Sequence, residues 1–404
     1  MVNTTIIIIA PNIKGGGGRE LLEYLLEYLE DKYKDIKVIV FLDDSLSFIM
    51  KTQNRQVVIL DNVIDKVKLF YKKFDNALYF GNLPPLRKSH NSIVYFHNPY
   101  LLMKWNKLIL SSIRIFIKYV LQQVYLHIYM KNVDIVACQN QIIKDKFIKK
   151  YSNNIVEVLP FFRLCVKKER DLTNNLYDFC YVSLAHPHKN HTVLFKAMNI
   201  LSNKGISVSL AVTIENDKNE LINEIRNINS LGFVKIDNLG VISKKEVCQL
   251  YSKSKCLIFP SKEETFGLGL IEAVDMGLDI IAADLDYVYQ VVNPSMVFDP
   301  ESAKMCAEVI VQYLKGKNKK SIGLINNKID KLIQLLKGRD VDRWKSKLLS
   351  YLFTRPNLVI TPIADWKNRL YYTYPLLDLF CTNIENYFYW LGFLQILEEQ
   401  SHEK

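Results

Sequence analysis

Between Cys256 and Gly277 the chain reads Cys-Leu-Ile-Phe-Pro-Ser-Lys-Glu-Glu-Thr-Phe-Gly-Leu-Gly-Leu-Ile-Glu-Ala-Val-Asp-Met-Gly. Strand, loop and helix follow one another there without spacer. Cys256–Phe259 is an apolar run short enough for a buried strand. Pro260 ends the ladder because it has no N–H to donate. Two acids follow, then Thr265-Phe266-Gly267-Leu268, then a helical pattern. Glu264 precedes the helix and Glu272 rides its first turns. Amide N–H groups at the start of such a helix can meet an anion, and an acid beside them can hold sugar or ribose hydroxyls.

The rest of the chain repeats this alternation. Ile6–Ala10 is almost wholly β-branched, as in a strand buried on both faces of a parallel sheet. Gly15-Gly16-Gly17-Gly18 follows, then a helix with Leu21, Leu22, Leu25, Leu26 and Leu29 at helical spacing. Without Cβ atoms that loop lets the backbone approach a ligand. It is not a Walker loop, and it lacks the G-x-G-x-x-G dinucleotide spacing. Further strands are read at 36–41, 57–60, 76–80, 92–96, 133–137 and 155–160, with helices between. His97 stands just past Phe96, at a strand's carboxyl end, where doubly wound sheets bind ligands. The pattern restarts at Tyr177 and implies a second parallel sheet wrapped by helices. The polar run 167–175 reads as the linker.

The 256–277 stretch resembles the E-x7-E motif of the retaining glycosyltransferases of family 4, which have the GT-B fold. Thr-Phe-Gly-Leu after the first Glu, Glu-Ala at the close, Gly277 and Ile280-Ile281-Ala282 all sit at the family's distances. The resemblance implies an α/β GT-B chain: two Rossmann-like parallel-sheet domains facing across a cleft, with an extra helical C-terminal tail. The expected domains are 1–168 on the acceptor side, 169–345 for the nucleotide sugar, and an aromatic tail, 346–404, packing back on the first. By resemblance Glu264 lies by the donor sugar with His97 as its catalytic companion. Glu272 binds the ribose. Lys189 meets the diphosphate together with Thr265, Phe266, Gly267 and Leu268, and Gly16 and Gly17 face it from the first domain. Family members often place an Arg ahead of the Lys. Here Leu184 or His186 stands near that slot, which leaves Lys189, Arg163 and Lys262 as candidates for the second phosphate charge.

The activity implied is transfer of a sugar, with retention, from a nucleoside-diphosphate sugar to a glycan hydroxyl. The acceptor expected is a glycan or a polyprenyl-diphosphate-linked oligosaccharide of surface-polysaccharide synthesis. No cofactor and no metal are expected. His186, His188 and His191 lack a complementary ligand set, and Asp284 and Asp286 suit a loop over the sugar. Two other readings stay open: a catalytically silent GT-B-like sugar- or lipid-binding scaffold, and a GT-B sugar-nucleotide epimerase.

The 404 residues carry a net charge of +11, which favours anionic partners. No zinc-finger, RNA-recognition or basic-zipper pattern occurs, so nucleic acid is not expected. Seven cysteines are scattered without a CxxC pair and read as reduced thiols of a cytoplasmic protein. The N-terminus lacks the plan of a signal peptide, and no stretch is long and apolar enough to span a bilayer. Residues 104–131 form an apolar, aromatic helix with one narrow polar stripe. It reads either as core or as a helix lying peripherally on a membrane.

Overall fold

The computed structural model describes residues 4–104, 113–151, 154–165, 176–264, 266–316 and 319–338. They divide into two compact units. The first takes in Met1–Gln139, Ile143–Leu159 and the chain from Lys328, and the second Asn140–Ile142 and Pro160–Asn327. The 346–404 tail and the 167–175 linker lie outside the described residues.

The first unit is a seven-stranded parallel sheet. Its strands are β1 (Thr5–Ala10), β2 (Lys37–Asp43), β3 (Arg55–Leu60), β4 (Ala77–Phe80), β5 (Ser92–Phe96), β6 (Ile135–Cys138) and β7 (Ile155–Val158), in the order β3-β2-β1-β4-β5-β6-β7. Central strands are buried throughout: all of β4, β5 and β6 is inaccessible, which is why they read as unbroken apolar runs. Helix Gly16–Lys32 buries the leucine face expected of it. Strand order reverses between β1 and β4. The loops leaving those two strands meet there, since a Cβ on Gly81 would lie 3.6 Å from Asn12 Cβ.

The second unit repeats the plan with β8 (Tyr177–Tyr181), β9 (Val208–Val212), β10 (Val234–Asn238), β11 (Ser254–Phe259), β12 (Asp279–Ala283) and β14 (Met296–Phe298), ordered β10-β9-β8-β11-β12-β14 and parallel. A two-stranded antiparallel pair, β13 (Val292–Asn293) with β15 (Ile322–Gly323), lies beside it. The order reverses between β8 and β11. One hydrophobic cluster joins the sheet to the helices His191–Asn203, Lys244–Ser252, Leu268–Asp275 and Ala303–Leu314.

The expectation for the cysteines is corrected. The cysteines are not all thiols: Cys165 and Cys248 form a disulfide with 5.6 Å between Cα atoms. They are 83 residues apart, so only the tertiary fold brings them together. Cys138, Cys180, Cys256 and Cys306 remain buried thiols. Helix Ile329–Leu336, expected in the second domain, packs in the first unit. Tyr28 and Tyr33 donate to Asp330 at 3.0 and 2.8 Å, and the Asn91 amide donates to the carbonyls of Leu335 and Leu336. Of the 104–131 helix, Ile113–Tyr129 is described. Tyr125 and Leu126 are buried, whereas Ile115, Ile117 and Ile128 are exposed. Among the described residues no helix is long and apolar enough to cross a membrane.

Candidate functional site

The carboxyl ends of β8 and β11 flank the reversal of strand order in the second unit, the place where open α/β sheets leave a crevice for ligands. After β8 the chain makes a short turn, Pro187–Lys189, then passes through Asn190 into helix His191–Asn203. Asn190 takes a left-handed conformation, φ 58°, which Asn tolerates better than most residues. After β11 the chain runs through Pro260-Ser261-Lys262-Glu263-Glu264 and enters helix Leu268–Asp275 from Gly267, φ 71°. A Cβ at Gly267 would also press to 3.1 Å from Leu270 Cδ1.

The two loops are stitched together. Asn190 Nδ2 donates to the Pro260 and Pro300 carbonyls at 3.1 and 2.8 Å. Lys262 N–H donates to His188 O at 2.8 Å. Tyr181 Oη donates to Lys189 O at 2.7 Å, and Tyr287 Oη to Ser261 O at 2.7 Å. On this frame Lys189 Nζ reaches Glu264 Oε1 at 2.5 Å. Neither helix that begins here has a side-chain cap among the described residues, whereas Ser243 and Ser302 cap helices Lys244–Ser252 and Ala303–Leu314 of the same unit. An ammonium beside helix starts without side-chain caps suits a multiply charged anion.

Glu272 is 5 % exposed. Its carboxylate is held by Lys244 through Oε1. Phe266 turns its side chain into the core, with its ring 6.1 Å from that of Phe162, so at the crevice it offers backbone only. Thr265 lies outside the described residues. Lys262 is engaged with Glu301 at 2.7 Å. His186 and His188 stack at 5.7 Å with rings nearly parallel. Burial and the neighbouring Lys189 charge both lower the His188 pKa. His191 is buried beside the Tyr181 ring at 4.8 Å, and burial takes its pKa to about 4. Burial raises the Glu215 carboxyl, but the hydrogen bond it accepts from Ala185 N–H at 2.7 Å, its own backbone N–H and the Lys218 charge together bring it below the ordinary range. Asp284 accepts from Tyr289 Oη at 2.7 Å. Among the described residues no group of three or more His, Cys, Asp or Glu is placed to hold a metal ion.

In the first unit Gly16 and Gly17 already belong to helix Gly16–Lys32, which Gly15 leads without a side-chain cap. Gly16 has φ 62° with open space around it. A Cβ on Gly18 would lie 3.7 Å from His97 Nε2, so the loop and His97 share one corner. Asn82 Oδ1 accepts from the His97 and Asn98 N–H groups at 2.7 and 2.9 Å and fixes that turn. Burial lowers the His97 pKa to about 4, so the ring is neutral at pH 7.

Sequence reasoning missed Lys244, Asn190 and Asn82. Asn82, two residues past β4 in a Gly-Asn turn, and Asn190, just before helix His191–Asn203, carried a signal, since Asn tolerates the left-handed conformation both adopt. Lys244 carried none, because its partner is 28 residues away.

Residues 166–330 match the family model described as glycosyl transferases group 1. No curated protein matches the chain. Among solved structures, the glycosyltransferase from Rickettsia africae is 15 % identical with a TM-score of 0.58, covering 86 % of this chain and 99 % of that one. Sucrose-phosphate synthase from Thermosynechococcus elongatus is 16 % identical with a TM-score of 0.56, covering 87 % and 99 %. Anabaena HepE in complex with UDP and glucose is 14 % identical with a TM-score of 0.54, covering 85 % and 99 %. These likenesses bear on the fold, an α/β chain of two parallel-sheet units of the GT-B type.

Proposed function

We propose that the second unit binds a nucleoside-diphosphate sugar at the β8/β11 reversal and that the chain transfers the sugar to a hydroxyl of a glycan acceptor with retention. The observation that carries this reading is the Lys189–Glu264 pair, set across the reversal beside two helix starts without side-chain caps. The match of residues 166–330 to group 1 glycosyl transferases supports it.

In the reaction the bond from the anomeric carbon to the diphosphate oxygen breaks, and its electron pair leaves with the nucleotide. The acceptor oxygen bonds to the same face of that carbon, and its proton passes to the departing diphosphate. Lys189 and the amides following Gly267 stabilise the charge that develops on the diphosphate, a task that needs no divalent cation. Glu264, released from Lys189 by the incoming phosphates, orients the sugar hydroxyls. Glu272 accepts from the ribose. A polyprenyl-diphosphate-linked oligosaccharide is the acceptor we favour. The net charge of +11 and the exposed Ile115 and Ile117 beside Arg114 suit an anionic membrane surface.

A mass-spectrometric screen of UDP-, GDP- and dTDP-sugars tests the reading. One donor should be consumed by the wild type and spared by Glu264→Ala. Consumption by the variant at the wild-type rate would remove Glu264 from the reaction, and no consumption of any donor by wild type would count against the enzyme.

A further inference from the structure

We infer that Lys244 is a positioning residue of the donor site, holding the Glu272 carboxylate ionised and aimed so that it reads the ribose hydroxyls of a nucleoside diphosphate. The inference rests on the donor reading above and adds a residue to it.

Lys244 is the first residue of helix Lys244–Ser252. The helix dipole there favours an anion and disfavours a cation. The next residue, Lys245, meets the same field and stays exposed in water. Lys244 instead turns inward. Its side chain is 28 % exposed, and its ammonium sits on Glu272, whose side chain is 6 % exposed. A carboxylate so far from water stays charged only with a partner, since burial alone favours the neutral acid. Protonated, Glu272 would keep less acceptor capacity and offer a donor toward the hydroxyls it is meant to accept from.

The helix that carries Lys244 is anchored three ways. Ser243 and Glu246 close a reciprocal capping box at its start. Val247, Leu250 and Tyr251 bury its inner face. Cys248, one turn beyond Lys244, is tied by the disulfide to Cys165. The stem of Lys244 therefore springs from a fixed point, and the ammonium sets where the carboxylate of helix Leu268–Asp275 can lie.

The test compares the affinity of UDP with 2′-deoxy-UDP, and of GDP with 2′-deoxy-GDP, by calorimetry on the full chain. A hydrogen bond to a charged acceptor predicts that wild type prefers the ribose form by about tenfold or more. In Lys244→Met that ratio should collapse toward one, and in Lys244→Arg it should persist. A purely structural role would weaken both ligands of a pair equally and leave the ratio intact, which would overturn the inference while the donor reading stood. A wild-type ratio near one would overturn it as well. If wild type binds none of the four, the donor reading itself falls, and the role of Lys244 with it. Should Lys244→Met fail to fold, Lys244→Gln reads out the same ratio, with the same results for and against.

Discussion

Lys189 Nζ and Glu264 Oε1 lie 2.5 Å apart although their residues are 75 positions apart in sequence, one after β8 and the other after β11. Their side chains are 20 % and 13 % exposed. The contact lies where strand order reverses, and on the proposed donor reading a phosphate would take Lys189 and a sugar hydroxyl Glu264 in its place.

Breaking the pair from one side should cost stability. A fully buried pair loses about 3–5 kcal/mol when one partner is removed, and residual solvent access should bring this to about 2 kcal/mol. Glu264→Ala and Lys189→Ala, measured by urea unfolding, should each show the loss. The double variant should show less than the sum. Strict additivity would mean that the two charges do not couple.

Gly267→Ala places a Cβ in a left-handed residue and against Leu270 Cδ1. We expect a loss of about 1–2 kcal/mol from the backbone conformation. Nucleotide affinity should fall as well, because the amide of Leu268 moves with the turn. Wild-type melting together with wild-type affinity would show that the glycine conformation is dispensable.

Stability should fall in mild acid. His191 takes up its proton near pH 4 in the fold but near its ordinary 6.5 in the unfolded chain. Between these values the unfolded state binds more protons, so stability is full above pH 6.5 and drains as pH falls toward 4, by about 1 kcal/mol per pH unit. Lys189, Glu215 and His186 are the charged neighbours that shape this titration. His97, lowered to about 4 by its own burial, shares the loss over this window, so His191→Phe should make the melting-temperature profile between pH 6.5 and 4 shallower than wild type, and a profile as steep as wild type would assign the acid loss to other groups.

Reduction should loosen the second unit. Cross-linking residues 83 apart restricts the unfolded chain by about 4.5 kcal/mol in the chain-entropy picture. Cys165→Ser, or dithiothreitol on the wild type, should lower the melting temperature by several degrees. Thiol titration of the denatured, unreduced protein should count two fewer cysteines than after reduction. Equal counts would refute the disulfide.

Much of the fold was legible because its central strands are buried on both faces and so appear as plain apolar runs, such as Ile6–Ala10 and Cys256–Phe259. The edge strand β10 escaped notice: Lys235 and Asp237 alternate with buried Val234 and Ile236, and five such residues look like loop. Helix Asn219–Ser230 was missed because it buries only Ile225 and Ile228. At the candidate site, the chain-local features were readable: Gly267 at the helix start, and Lys189 and Glu264 at strand ends. The pairing of Lys189 with Glu264, of Lys244 with Glu272 and of Cys165 with Cys248 depends on strand order, which no local pattern carries.

The most direct test is a crystal structure of the chain with its nucleoside diphosphate. The account predicts diphosphate density at the β8/β11 reversal, within hydrogen-bond reach of Lys189 Nζ and the Leu268 N–H, with the Lys189–Glu264 contact opened. Nucleotide bound elsewhere, with that contact still closed, would contradict it.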